Sequence, residues 1–131
     1  MDWDRFLTAF HSIVAELPKT GFPLILDHVC TSRRWLDQCA QTLQGYRVLH
    51  VGVTCQPDEL RRRERARGDR KIGIAEEHLA TYQDAGPFDV EVNTQTCTPD
   101  ECADQIIAAM SHPTAFNLIR SATLKPTTDN L

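Results

Sequence analysis

Leu24-Ile25-Leu26-Asp27-His28-Val29 is the stretch on which the fold class turns. A short apolar run with a polar pair near its end reads as a buried parallel strand whose C-terminal end reaches a site. Upstream, Trp3, Phe6, Leu7, Phe10, Ile13, Val14 and Leu17 recur at three- and four-residue steps. That spacing predicts an amphipathic helix over residues 3–17, closed by Pro18 and Gly21. Downstream, Ser32 can cap a helix with Trp35, Leu36, Cys39, Ala40 and Leu43 on one face, and Arg47 to Val53 reads as a second buried strand. Pro57 opens a helix that runs through Asp58-Glu59-Leu60 into a cluster of arginines. Gly68 and Gly73 bracket a loop, Ala75 to Tyr82 is expected to be helical, and Gly86-Pro87 marks a turn. Phe88 to Val92 alternates like a strand. Thr98-Pro99-Asp100-Glu101 is a capping-box start for a helix ending near Met110. Strands alternating with helices imply an open α/β domain with a parallel sheet, where ligands bind beyond the C-terminal strand ends. Asp27, Thr54 and Asn93 all lie at or just past those ends.

The chain has 131 residues, enough for one domain, with 41% hydrophobic and 24% charged residues and a net charge of −4. Residues 1–112 are expected to form that domain and residues 113–131 a partly disordered extension. No apolar run approaches the roughly 20 residues that span a bilayer. The start Met1-Asp2-Trp3-Asp4-Arg5 is not that of a signal peptide, so no membrane and a cytoplasmic location are expected. Cys30, Cys39, Cys55, Cys97 and Cys102 include no Cys-x-x-Cys pair, which argues against a zinc cage and for buried thiols. Between Arg61 and Lys71 seven bases face only Glu64 and Asp69. No basic face recurs in this acidic chain, so a small anion suits the cluster better than nucleic acid.

Arg63, Arg67 and Arg70 are spaced i, i+4, i+7. If the helix continues that far, they project from one face as a planar donor cluster for phosphate oxygens. The other reading is a solvated helix, supported by acid-before-base pairs Asp58–Arg62 and Glu59–Arg63. Asp27 can hold Mg²⁺, directly or through water, or can cap the following turn. Alternation points His28 to the opposite face from Asp27, where a half-buried structural histidine is the ordinary outcome.

Gly21-Phe22-Pro23-Leu24-Ile25-Leu26-Asp27-His28-Val29, Val51-Gly52-Val53-Thr54-Cys55, Arg63-Glu64-Arg65-Ala66-Arg67-Gly68-Asp69-Arg70, Phe88-Asp89-Val90-Glu91-Val92-Asn93-Thr94 and Thr98-Pro99-Asp100-Glu101-Cys102-Ala103 follow one another in order. Together, over about residues 6–110, they resemble chloramphenicol phosphotransferase and its relatives, and R-E-x-A-R-G-D-R is the specific element. The resemblance implies a three-layer α/β/α parallel sheet of the P-loop kinase type. It also implies ATP- and Mg²⁺-dependent transfer of the γ-phosphoryl group to a hydroxyl of a small molecule. Arg63, Arg67 and Arg70 would belong to the lid over the phosphates and stabilise charge in the transition state, with Thr94 also at the nucleotide. Asp27 would match the metal-associated carboxylate. Asn93 stands where relatives commonly have aspartate.

No G-x-x-x-x-G-K-[ST] occurs in the chain, and its six glycines are scattered singly. The strand that ends in the family's catalytic aspartate has no counterpart either. The fold is therefore expected to be incomplete, lacking the P-loop strand and the strand after it. Two functional expectations follow: a truncated kinase, inactive alone, or a non-catalytic relative that binds an anion or a protein partner. Without a central strand, the segments 24–29, 47–53 and 88–92 are expected to collapse into a three-stranded sheet in that order, or to pair open edges with another copy.

Overall fold

A computed structural model describes residues 2–29 and 31–112, so the expectations for residues 113–131 lie outside it. Among the described residues are five α-helices, α1 (Trp3–Glu16), α2 (Arg33–Thr42), α3 (Pro57–Arg67), α4 (Ile74–Ala85) and α5 (Pro99–Met110), and two strands, β1 (Val51–Thr54) and β2 (Val90–Asn93). The architecture is α/β.

Local chemistry sets most of the boundaries. The Asp2 carboxylate accepts from Arg5 N at 3.1 Å to start α1, which gives way to a 3₁₀ turn over Leu17–Thr20 and stops at Gly21, whose φ of 82° an L side chain resists. Ser32 accepts from Trp35 N at 3.3 Å and caps α2, an interaction generally worth about 1 kcal/mol. At α5 the full capping box is present: Glu101 N donates to Thr98 Oγ1 at 3.3 Å and Thr98 N donates to Glu101 Oε2 at 2.7 Å.

The strands pair in parallel, Val51 opposite Val90 and Thr54 opposite Asn93. Both are shorter than their apolar runs because of Asp89. Its carboxylate takes the His50 N–H at 2.7 Å, where a longer ladder would offer a carbonyl. The β1 segment is therefore not a strand over residues 47–50.

The run Leu24–Val29 is not a strand either, and the expected three-stranded order is realised only in its second pair. A strand exists through a neighbour's ladder, and among the described residues no backbone–backbone hydrogen bond joins residues 24–29 to another segment. The alternation nevertheless holds. Leu26 and His28 turn inward, Leu26 onto the cluster of Val14, Cys39 and Leu43, whereas Ile25 is 97% exposed. A second cluster, Leu36, Ala40 and Ala85 with Val48 and Phe88, joins α2 to the end of α4. Asp4 accepts from Arg34 Nη1 at 2.8 Å and from Trp35 Nε1 at 3.0 Å, which latches α1 onto α2.

Candidate functional site

The arginine-rich helix α3 carries one face toward α4. Leu60, Arg63, Glu64 and Arg67 repeat at i, i+3, i+4, i+7, and opposite them α4 presents Ala75, His78, Leu79 and Tyr82. Between the two faces lies a cleft of about 440 Å³, floored by Val53, Thr54 and Cys55 at the end of β1 and edged by Thr94 just past β2. Arg63, Arg67, Arg70 and Thr94, all singled out in the sequence, line this one cleft.

Arg70 reaches it by a different route from the one its spacing suggested. Gly68, at φ 70°, ends α3 after Arg67, so Arg70 stands on the bend beyond the helix and not on its face. A left-handed residue stops the i→i−4 ladder, which ends the helical spacing argument at Arg67.

The three guanidinium groups are not equivalent. Arg63 donates from Nε to Glu59 at 2.7 Å, from Nη1 to Thr94 Oγ1 at 2.9 Å and from Nη2 to the Thr94 carbonyl at 3.0 Å. Thr94 in turn donates through its N to the Thr54 carbonyl at 2.9 Å. Glu59, Arg63, Thr94 and Thr54 thus form a polar strut from α3 to the ends of both strands. Arg67 pairs with Asp69 at 2.9 Å, and Arg70 has no hydrogen bond or ion pair among the described residues. With five donors on each fork, Arg67 and Arg70 keep most of theirs for a ligand.

Glu59 accepts from Arg62 and Arg63, and these hydrogen bonds hold its carboxyl down to about 2. Its pair with Arg63 is the expected i, i+4 contact, whereas Asp58 pairs with Arg61 at 2.9 Å and not with Arg62. Arg61 also reaches Glu76 at 2.8 Å and points away from the cleft.

Sequence spacing missed Glu64. Its carboxylate accepts from Gly73 N and Ala75 N, both at 2.9 Å, so a side chain of α3 caps the first turn of α4, and these backbone donors lower its pKa. The available signal was that Gly73, at the N-cap of α4, brings no side-chain acceptor of its own. Tyr82 was missed too. Its hydroxyl donates to Glu91 at 2.8 Å, and burial, then this carboxylate, raise its pKa.

Asp27 is not part of the cleft lining. It is exposed on the extended segment and makes no hydrogen bond among the described residues, and the cap of α2 falls to Ser32. His28 is turned the other way, its Nε2 2.7 Å from His11 Nε2.

The family model for chloramphenicol phosphotransferase-like proteins matches residues 1–111. The chain belongs to the chloramphenicol phosphotransferase-like family. Two proteins of Mycobacterium tuberculosis, from strains CDC 1551 / Oshkosh and ATCC 25618 / H37Rv, each named "Putative O-phosphotransferase", are 32% identical to it over 103 residues. The match covers 76% of this chain and 46% of each relative, so the chain matches less than half the length of these family members. No solved structure matches. No helix among the described residues is long and apolar enough to cross a membrane.

Proposed function

We propose that this chain supplies the phosphate-holding part of an enzyme that moves the γ-phosphoryl group of ATP to a hydroxyl of a small molecule. One observation carries the reading: Arg67 and Arg70, with most of their donors uncommitted, meet Arg63 and Thr94 on a single cleft at the strand ends. Planar guanidinium forks suit the oxygens of a polyphosphate, and charge placed there stabilises the transferring group. In this reading Arg67 and Arg70 contact the phosphates, while Arg63 holds the cleft's edge through Thr94. In this reading the phosphate-binding loop and the catalytic carboxylate, for which this sequence has no motif, must be supplied from outside these residues.

The donor set fits a polyphosphate. It does not build a metal site: among the described residues no group of three His, Cys, Asp or Glu could hold an ion, and Glu64 is committed to α4. Bound Mg²⁺ would neutralise charge on the phosphates. The resemblance gives Asp27 to that ion. In that role, Asp27→Asn in an active enzyme should cut transfer by about an order of magnitude or more and leave the melting temperature unchanged, because the side chain holds nothing in the fold.

Calorimetric titration with tripolyphosphate and with ATP tests the cleft. Arg67→Ala and Arg70→Ala should each weaken binding severalfold, and Arg61→Ala, tied to Asp58 and Glu76, should not. Equal losses for all three would remove the assignment.

A non-catalytic anion- or protein-binding relative is the second reading, favoured by Arg63, which already spends three of its five donors inside the chain. Transfer from labelled ATP to a panel of small hydroxyl compounds, using protein expressed with any in-frame upstream G-x-x-x-x-G-K-[ST] segment, separates the two. Binding without transfer selects the second.

A further inference from the structure

The start of α5 holds a pair of groups that the proposed site does not use. In a capping box, the residue before the cap and the fourth helical residue ordinarily close the turn as an apolar pair. Around Thr98 those two positions are Cys97 and Cys102. Cys102 is buried, at 7% exposure, and Cys97 is half-buried, so one thiol is shielded and the other meets solvent. Burial, and after it the neighbouring Cys97, push the Cys102 thiol up. Cys97 is held in place by its N–H, which donates to the Asn93 carbonyl at 3.0 Å, and by Gln105 Nε2, which reaches its sulfur at 3.3 Å. Gln105 lies one turn beyond Cys102 on the same helix, so the sulfur of Cys97 is drawn over the face that Cys102 occupies.

We propose that Cys97 and Cys102 are a redox-active pair, which hydrogen peroxide converts into an intrachain disulfide. The accessible Cys97 thiolate attacks one peroxide oxygen, breaking the O–O bond, and becomes a sulfenic acid as hydroxide leaves and is protonated. The Cys102 sulfur then attacks the sulfenic sulfur. The S–O bond breaks, the S–S bond forms, and the hydroxyl departs as water with the Cys102 proton. Two electrons pass from the thiols to peroxide, and a thiol reductant reverses the change. The pair has its accessible nucleophile just before the cap and its shielded resolving partner at the fourth helical position, on the end of a capped helix. The turn that the bond would fix also carries Thr94, the anchor of Arg63.

Peptide mapping tests this directly, because trypsin releases residues 72–120 as one peptide whose only cysteines are Cys97 and Cys102. After brief peroxide treatment of the native chain, that peptide should lose two hydrogen atoms and refuse alkylation at both positions, and dithiothreitol should restore both. Cys102→Ser should instead leave a sulfenic acid at Cys97 that dimedone traps. The proposal is overturned if both cysteines stay alkylatable, if Cys97 links to Cys55 or to a second chain, or if Cys102→Ser yields no dimedone adduct.

Discussion

His11 is the largest polar side chain in the core at 1% exposure, and it faces His28 with 2.7 Å between their Nε2 atoms. That contact needs one nitrogen to donate and the other to accept, so the pair cannot be doubly protonated. Burial lowers both pKa values below their ordinary 6.5, and for His11 the neighbouring His28 adds to it. A folded pKa below the unfolded one means that the unfolded chain binds protons first. Stability is therefore whole above about pH 6.5 and falls as pH drops from there toward the folded values; His50, also lowered by burial, acts in the same direction. Melting temperatures at constant ionic strength should decline by several degrees between about pH 7.5 and pH 5.5. His28→Gln should flatten the decline, and an unchanged slope would discard the pair as its source. A second residue-scale case is Gly52 on β1, where an added Cβ would meet the Tyr82 hydroxyl and lie 2.8 and 2.9 Å from Phe88 carbons. Gly52→Ala should cost roughly 1–3 kcal/mol in denaturant unfolding, the usual range for overpacking. It should also disturb the cleft wall that Tyr82 forms.

Between elements, the decisive contact is Glu64 on α3 with the first turn of α4, since it sets the two walls of the arginine cleft against each other. Glu64→Ala should speed hydrogen exchange in the first turn of α4 and lower the melting temperature by a few degrees. Glu64→Gln, which keeps an acceptor oxygen, should do less. If exchange there stays unchanged, the carboxylate is not what holds the turn. This contact also shows why part of the site was illegible. Thr98 and Glu101 close their box three residues apart, and Ser32 meets Trp35 over the same distance, so sequence reading reaches both. Glu64 meets its partners nine and eleven residues away, and Arg63 meets Thr94 across 31, distances set by how elements pack and not by periodicity. The arginines were legible as a group because the residue types carry the chemistry, but Gly68 decided that Arg70 leaves the helical face.

For the molecule as a whole, the parallel pairing of β1 with β2 was legible because one run is apolar, the other alternates, and helices separate them. The fate of Leu24–Val29 was not, because a strand depends on a neighbour that its own sequence does not specify. The chain consequently leaves an apolar surface uncovered: Phe22 is 77% exposed, Ile25 97% and Val29 57%, with Trp3, Phe6 and Ile13 of α1 also more than half exposed. Helix α1 buries Leu7, His11 and Val14 and turns these other apolar residues outward, so its apolar stripe is wider than the surface it packs on. Among the described residues no backbone–backbone hydrogen bond engages residues 22–29. Extended backbone with unspent hydrogen bonds beside apolar side chains is the condition under which edges pair between molecules. We therefore predict concentration-dependent self-association in sedimentation velocity. Ile25→Lys should reduce it strongly without lowering the melting temperature, since Ile25 touches almost nothing in the isolated chain. Val53→Lys, on the exposed side chain of β1, separates pairing at residues 22–29 from association through the two-stranded sheet. If Ile25→Lys leaves the sedimentation profile unchanged, the open segment is not the contact between copies.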